Sequence, residues 1–471
     1  MSAGDSSENL KPGARAAAVL PPAQAIAAAE SGGGTPSVVE EAGFIERGTP
    51  VFRRTALAMF SAGFATFALL YCVQPLLPVL SREFAMDAAR ASLVLSVSTA
   101  LLAAGLVATG PLSDAIGRKP VMLVGMGGAA VCTLGAAAMP TWGGVLVLRA
   151  LVGLCLSGVV AVAMTYLSEE IAPRVLGFAM GLYIAGNAIG GMLGRLVVGV
   201  IVDFVSWRAA LGTLGGLALV AAFVFWHSVP PSRHFRPTPL RPATVLEGFR
   251  LHLCDAALPW LFLEGFLLLG SFVTLFNYIS YRLLAAPYHL SQAIVGSVSA
   301  VYLAGIYSST SVGALADRLG RRRVLWVAIA VMLAGVVVTL AEPLWLVLVG
   351  MLVFTAGFFG AISVASSWIG RRARSARGQA SSLYLLCYYL GSSIAGTAGG
   401  VCWHRWGWSG VGLFIAGLLG VALLVAVRLS RVPPLEAAGA GGAGRWESAR
   451  HGAESTRLVQ TRACTSVKWG S

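Results

Sequence analysis

The sequence predicts an all-α integral membrane protein whose twelve transmembrane helices form two pseudo-symmetric six-helix bundles. Three observations lead to this prediction: a very low content of charged residues, twelve long apolar runs, and a pattern that occurs twice along the chain. Charged residues make up 11% of the 471 residues, and apolar residues make up 57%. Since a soluble domain has about 25% charged residues, a chain this poor in charge is expected to face lipid.

The apolar runs are long enough to cross a bilayer. A helix needs about 20 mostly apolar residues to span about 30 Å of hydrocarbon. The runs lie at about 55–80, 92–112, 120–139, 143–167, 176–201, 209–229, 258–281, 293–316, 323–341, 344–368, 379–402 and 409–428.

A polar stretch after the sixth run divides the chain into two sets of six. We therefore expect an N-terminal six-helix bundle at 53–229, a cytoplasmic linker at 230–257 and a C-terminal six-helix bundle at 258–430. The flanking segments 1–52 and 431–471 are rich in small and polar residues, a composition that predicts disordered tails.

The basic residues between the runs predict the orientation. With the N-terminus in the cytoplasm, fifteen of the Lys and Arg residues in the loops fall on the cytoplasmic side and five on the other side. Because cytoplasmic loops are enriched in Lys and Arg, both termini are predicted to be cytoplasmic. The formal net charge of +14 is explained by this pattern, so we expect a lipid bilayer and no nucleic acid as partner.

Two of the loops predicted to be cytoplasmic have the same pattern. The segment GPLSDAIGRKP follows the second run, and GALADRLGRRR follows the eighth at an offset of 203 residues. A second pair, GNAIGG and GSSIAG, lies in the fifth and eleventh runs at an offset of 205. Two repeats at nearly one offset predict duplicated halves with the same orientation. The matching positions of the first pair are Gly110 and Gly313, Asp114 and Asp317, Gly117 and Gly320, and Arg118 and Arg321.

At these loops the sequence resembles the major facilitator superfamily, whose signature between helices 2 and 3 is G-x-L-x-D-R-x-G-R-R. The first copy has Ala115 where the family usually has Arg, whereas the second copy is complete. Further segments resemble the bacterial YnfM-like branch, which is grouped with drug/proton antiporters: FATFALLYCVQPLLPVLSREF, GNAIGGMLGRL, FNYISYRL and SVASSWIGRRARSARGQASSLY. The resemblance covers about residues 55–430. It implies a transporter of the bacterial inner membrane, and not an enzyme.

The resemblance also implies that the repeated loops act in gating. An aspartate at the end of one helix would pair with a nearby arginine and a facing helix N-terminus in one state, and would separate from them in the other. The alternative is a loop that only holds basic charge on the inner side. The residues expected to act in gating are Gly110, Asp114, Gly117, Arg118, Asp317, Gly320 and Arg321.

Three charged residues lie inside predicted spans, where each charge costs about 2.5–3.5 kcal/mol on insertion scales. Glu264 is a candidate proton carrier, because an apolar surrounding favours the neutral form of a carboxyl group; a fixed ion pair is the alternative. Arg149 begins RALVG, which matches an R-x-x-x-G pattern that the resemblance links to proton coupling; an arginine bonded to helix carbonyls is the alternative. Arg195 is predicted to contact substrate or an anion, or to form a structural pair.

Polar side chains at helical spacing are expected to line a substrate cavity. Thr274, Asn277 and Tyr278 share one face of the seventh run, and Tyr384 and Tyr388 share one face of the eleventh. Hydrogen bonding between helices is the alternative role for both faces. The full predicted cavity set is Gln74, Tyr71, Asn187, Arg195, Thr274, Asn277, Tyr278, Tyr384 and Tyr388.

Together these features predict a proton-coupled secondary transporter that exports a small, amphipathic organic compound. An uptake symporter for a sugar or an organic acid is an alternative, because Asn187 stands where antiporters of the family usually have proline. A membrane receptor or a lipid-handling protein with the same fold is a third interpretation. The sequence has no Gly-Lys-Ser/Thr phosphate loop and no CxxC pair, so we expect neither ATP nor a metal or other cofactor.

Overall fold

The computed structural model describes residues 43–235, 237, 242–373 and 377–432. Most of each predicted tail, at 1–42 and 433–471, lies outside the described residues. The described chain is helical along nearly all of its length.

The N-terminal half makes six passages across the bundle. Its first passage consists of two helices, because Pro75 and Pro78 lack the N–H groups that a continuous helical ladder requires there. The helices are α1 Pro50–Tyr71, α2 Leu77–Glu83, α3 Ala88–Ile116, α4 Arg118–Ala138, α5 Trp142–Glu170, α6 Pro173–Phe204 and α7 Trp207–Ser228.

The C-terminal half also makes six passages, preceded by a short helix in the linker. A 3₁₀ segment at Val298–Val301 joins α10 to α11 within one passage. Gly407, with a φ of 58°, breaks α14 into two passages. The helices are α8 Pro242–Leu253, α9 Leu258–Leu284, α10 Gln292–Ser297, α11 Tyr302–Leu319, α12 Arg321–Val338, α13 Leu344–Arg372 and α14 Arg377–Arg431.

Length and hydropathy identify ten helices of the described chain as long and apolar enough to cross a membrane. The break in α14 adds one passage to this number. The remaining passage is α12, an 18-residue helix whose first three residues are arginines. The twelve predicted runs correspond to these twelve passages.

The described chain is ordered before the first predicted span. The main-chain N–H of Ile45 donates to the carbonyl of Glu170 over 2.8 Å, and the N–H of Ala172 donates to the carbonyl of Ile45 over 3.2 Å. These bonds fasten the segment before α1 to the connection between α5 and α6. The first passage accordingly begins at Pro50, about five residues before the predicted run.

The two halves pack their helices in the same way. A Cβ on Gly186 of α6 would lie 2.5 Å from the Phe60 carbonyl oxygen of α1, and a Cβ on Gly391 of α14 would lie 2.0 Å from the Phe266 carbonyl oxygen of α9. Both pairs bring two helix backbones into close contact, and the positions correspond at the repeat offset. The prediction of two pseudo-symmetric bundles is confirmed.

The repeated loops form equivalent tight turns at one end of the bundle, which we call the basic face. Gly117 separates α3 from α4 with a φ of 106°, and Gly320 separates α11 from α12 with a φ of 89°. These values lie in the region that glycine adopts at no steric cost. The glycines therefore allow two long helices to reverse direction within a single residue.

The two halves are joined by hydrogen bonds at the other end of the bundle, which we call the far face. The Gln74 amide nitrogen donates to the Asn277 amide oxygen over 2.8 Å, and the hydroxyls of Ser81 and Tyr281 lie 2.6 Å apart. The Ser393 hydroxyl donates to the carbonyl of Ser96 over 2.9 Å. Among the described residues, the hydrogen bonds between the halves cluster at this end, so the far face is closed in this structure.

Candidate transport pathway

Arg195 lies between the two halves, close to the closed far face. Its Nε donates to the amide oxygen of Gln74 over 2.7 Å, and one terminal nitrogen donates to the same oxygen. The Gln74 amide nitrogen in turn donates to Asn277 of α9. The side chain of Arg195 is only 4% exposed. Three predicted cavity residues thus form one hydrogen-bonded chain across the interface.

Aromatic rings from both halves surround the Arg195 guanidinium. Its central carbon lies 4.9 Å from the ring centroid of Tyr71 and 4.9 Å from that of Tyr302. The ring of Phe276 lies at 5.6 Å. A guanidinium is attracted to the face of an aromatic ring, so these rings hold its position. A small cavity between the halves is lined by Gln74, Arg195 and Phe276.

Glu264 is fully buried in α9, and neither of its carboxyl oxygens has a hydrogen-bond partner among the described residues. The Tyr384 hydroxyl of α14 likewise has no hydrogen-bond partner in the part of the chain that the structure describes. The Tyr384 ring packs against Gly265, the residue next to Glu264. A carboxylate in such a place would be an unpaired buried charge, which is very costly. The fixed ion pair considered for Glu264 is absent among the described residues.

Arg149 is fully buried among main-chain carbonyl groups. Its terminal nitrogens donate to the carbonyls of Leu69 and Leu70 over 2.8 and 2.9 Å, and its Nε donates to Val94 over 3.4 Å. The structure therefore does not bring Arg149 and Glu264 together. The observed geometry is that of the alternative weighed for Arg149, an arginine bonded to helix carbonyls.

The polar face predicted on α9 packs against α14. The Thr274 hydroxyl donates to the carbonyl of Gly270 in its own helix over 2.7 Å, and the Tyr278 hydroxyl donates to Gly396 of α14 over 2.6 Å. Both side chains are fully buried. Asn277 reaches across to Gln74 in the other half, and the Tyr278 hydroxyl also lies beside Ser92 of α3.

The remaining predicted cavity residues lie in two places. Tyr384 and Tyr388 stack along α14 with ring centroids 5.9 Å apart, and Tyr388 is partly exposed. Asn187 instead lies against α1, where its side-chain oxygen would be 2.4 Å from a Cβ on Gly63. Asn187 thus lies in a contact between α1 and α6, whereas Tyr388 keeps part of its surface exposed.

The turn after α3 holds a charged cluster within the N-terminal half. Arg118 pairs with Asp114 and donates to both carboxylate oxygens of Glu169 in α5, over 3.1 and 2.7 Å. Asp114 remains 46% exposed, and Gly110 lies two turns before the end of α3. The partner Glu169 was not predicted from the sequence.

The turn after α11 holds the equivalent cluster with a different composition. Arg321 pairs with Asp317 and donates to the Ser367 hydroxyl of α13 over 3.1 Å. Arg371 lies 3.4 Å from the same aspartate. In both turns the described contacts stay within one half, so neither cluster bridges the halves in this structure.

The comparisons with known proteins agree with this architecture. The family model of the Major Facilitator Superfamily matches residues 59–284 and 274–459. The chain belongs to the major facilitator superfamily. It is 61% identical over 388 residues to the "Inner membrane transport protein YnfM" of Escherichia coli K12, which covers 82% of this chain and 93% of that protein. It is 47% identical over 387 residues to the MFS-type transporter YybF of Bacillus subtilis, covering 82% of this chain and 95% of that protein.

Solved structures of other transporters have the same fold. A bacterial homologue of the human lysosomal transporter Spinster, in an inward-facing and occupied conformation, aligns with a TM-score of 0.67 at 12% identity, covering 81% of this chain and 97% of that chain. The peptide transporter POT in complex with sulfate aligns with a TM-score of 0.66 at 14% identity, covering 83% and 96%. These similarities confirm the superfamily fold.

Several aromatic residues that contact the candidate site residues were not predicted from the sequence. Tyr302 and Phe276 contact Arg195, and Tyr389 is buried beside Tyr388 with ring centroids 5.2 Å apart. Aromatic residues inside an apolar run give no periodic polar signal. A search for tyrosines inside predicted spans would have found Tyr302 and Tyr389.

Proposed function

We propose that this protein is a proton-coupled secondary transporter that exports a small organic solute across the bacterial inner membrane, with both termini in the cytoplasm. The main support is the environment of Glu264, whose two carboxyl oxygens are buried and receive no hydrogen bond from any described residue. Such a group is tolerated when it is protonated and becomes costly when it is charged. Proton binding to Glu264 is therefore coupled to the conformation in which its side chain is buried.

Alternating access supplies the rest of the mechanism. Hydrogen bonds between the halves close the far face in this structure, while both charged clusters at the basic face stay within their own halves. With the basic face in the cytoplasm, this is an inward-facing state. Rocking of the two bundles would separate the far-face contacts and bring the clusters of Asp114 and Asp317 together as a gate.

Proteoliposomes with an internal pH-sensitive dye provide the test of proton coupling. A solute from a screen of small organic compounds is added under an imposed pH gradient, and the Glu264→Gln variant is compared with the wild type. The amide keeps the shape of the side chain but cannot carry a proton. We expect the solute affinity of Glu264→Gln to remain within about threefold of the wild-type value. Its rate of gradient-driven transport should fall at least about tenfold.

Glu247→Gln is the matched control, because Glu247 is an exposed carboxylate of the linker helix α8. Its transport should equal that of the wild type. Uphill transport that is unchanged in Glu264→Gln would rule out Glu264 as the proton carrier.

The direction of coupling is read from the sign of the lumenal pH change. When solute is added outside vesicles without a pH gradient, an antiporter exchanges it for internal protons and the lumen becomes more alkaline. An uptake symporter brings protons in with the solute, so the lumen becomes more acidic. Export by antiport rests on the resemblance to the drug/proton antiporter branch, and lumenal acidification would favour the symporter instead.

A further inference from the structure

Arg195 is a buried cation with no acidic partner within the described ranges of the chain. Its hydrogen-bond acceptors are the neutral amide oxygen of Gln74 and the main-chain carbonyl of Gly191, and the Tyr302 hydroxyl lies close to it. None of the ion pairs among the described residues includes Arg195. A charge at this depth is expected to have a functional reason or a compensating partner.

Two other arginines of the described chain are also buried. Arg118 is paired with two carboxylates. Arg149 is enclosed by α1 and α3 and donates hydrogen bonds to their main-chain carbonyl groups. Arg195 differs from both because it lines a cavity between the halves. The hydrogen bonds to Gln74 and Gly191 use three of the five N–H donors of its guanidinium, the same number that Arg149 uses.

The surroundings of Arg195 are apolar and aromatic. Tyr71 comes from the N-terminal half, whereas Tyr302 and Phe276 come from the C-terminal half. Phe359 of α13 extends this surface, with its ring centroid 5.7 Å from that of Tyr302. A planar, partly apolar solute in the cavity would meet the Phe276 ring and the Arg195 charge, with the Tyr71 and Tyr302 rings on other sides of the guanidinium.

We infer that Arg195 binds the carboxylate of an aromatic organic anion, with the surrounding rings holding the apolar part of the solute. A guanidinium fork matches a carboxylate with two parallel hydrogen bonds, and the low-polarity surroundings strengthen that contact. A neutral analogue of the same shape would leave the Arg195 charge uncompensated. This inference rests on the proposed transport function and assigns its substrate class.

The test uses the purified full-length protein and matched pairs of small molecules. The pairs are indole-3-acetate with indole-3-acetamide, 4-hydroxybenzoate with 4-hydroxybenzamide, and hexanoate with hexanamide. Thermal unfolding is followed for the wild type and for Arg195→Gln, Arg195→Lys and Arg208→Gln. Arg208 is a suitable control, because it is an exposed arginine paired with Glu83 at the far face.

The two aromatic carboxylates should raise the Tm of the wild type and of Arg208→Gln more than their amides do, and more than hexanoate does. Arg195→Gln should lose this preference, with at least a tenfold weaker apparent affinity. Arg195→Lys should weaken carboxylate binding about tenfold, because lysine keeps the charge but cannot form the fork. If Arg195→Gln does not fold, the lysine variant decides the question.

Several results would overturn the inference: equal stabilisation by acids and amides, no stabilisation by any probe, or an unchanged carboxylate preference in either Arg195 variant. The proposed transport function is judged separately, by proton flux. Glu264-dependent flux driven by the neutral amides would overturn the anion site and leave proton coupling intact. Carboxylate binding that depends on Arg195, without any proton flux, would support the anion site and overturn proton coupling.

Discussion

Arg149 shows how a buried charge can be required by a break in a neighbouring helix. Near the end of α1 the N–H of Gln74 donates to the carbonyl of Tyr71, so the carbonyl of Leu70 loses the donor that a regular helix would supply four residues later. Arg149 donates to Leu70 and also to Leu69. A single guanidinium thus satisfies carbonyl groups that cannot reach water.

Replacing Arg149 should therefore destabilise the fold. In Arg149→Gln the shorter amide cannot reach the carbonyls of α1 and α3 together, and at least one buried carbonyl remains unsatisfied. We expect a loss of about 2–4 kcal/mol of unfolding free energy, measured as a drop of several degrees in Tm in detergent. Arg208→Gln, at an exposed site, should stay within about 1 kcal/mol of the wild type. A wild-type Tm combined with lost proton coupling would instead support the coupling role that the R-x-x-x-G pattern suggests.

The sequence was informative about these charged residues but not about their partners. Because charge within an apolar run is rare, the sequence alone identifies Arg149, Arg195 and Glu264 as candidate functional residues. Contacts between distant segments decide whether a buried arginine bonds to main-chain carbonyls, as Arg149 does, or packs among aromatic rings, as Arg195 does. Helical spacing placed Thr274 and Tyr278 on one face, but it could not show that this face packs on α14.

At the scale of helices, small residues set the distance between neighbours. Gly190 and Gly194 of α6 face α1, where an added Cβ would lie 2.2 Å from the Phe64 carbonyl oxygen and 2.8 Å from the Cα of Ala68. Close backbone approach of this kind replaces hydrophobic burial as a source of stability in lipid. In the proposed rocking of the halves, the α1–α6 pair would keep this distance.

Gly190→Ala should push α1 and α6 apart. The added methyl group would meet main-chain atoms, which cannot move aside as a flexible side chain can, so we expect a loss of about 1–3 kcal/mol in unfolding free energy. Gly181→Ala is the control on the same helix, because a Cβ there meets nothing within 4 Å. Thermal unfolding of both variants measures the difference. Equal Tm values for the two would show that the α1–α6 contact is not tight.

The internal repeat predicted most of this helix packing. Gly186 and Gly391 were matched by the repeat, and each proves to contact the first helix of its own half. Helix ends were less predictable. Neither the pairing of Ile45 with Ile171 nor the 3₁₀ segment at Val298–Val301 leaves a hydropathy signal, since both depend on main-chain bonds and on packing.

At the scale of the whole molecule, the two faces have different kinds of contact. At the far face, Asp203 of α6 accepts the main-chain N–H groups of Gln292 and Ala293 at the start of α10, over 2.9 and 2.7 Å. The Asp203 carboxylate thus binds the N-terminus of α10, which belongs to the C-terminal half. At the basic face, the N-terminal cluster has two acids and one base, whereas the C-terminal cluster has one acid and two bases.

The difference in cluster composition comes from one pair of equivalent positions. Glu169 and Arg371 are each the second-last residue of their helices, α5 and α13. The clusters consequently have opposite net charge and would attract each other as the halves close at the basic face. Exposed charges at a few ångströms gain on the order of 1 kcal/mol, enough to bias a conformational equilibrium about fivefold.

Two variants should shift this equilibrium in opposite directions. Asp114→Asn removes the net charge of the N-terminal cluster, so the state open at the basic face should gain about fivefold in population. Asp203→Ala removes the bonds to α10 and should favour the state open at the far face by a similar factor. Spin labels introduced as encoded residues at Ile116 and Leu319, both exposed ends of helices at the basic face, would report the distance distributions. Asp114→Asn should lengthen them and Asp203→Ala should shorten them. If only Asp203→Ala changes the distribution, the labels are working and the gating role of Asp114 is rejected.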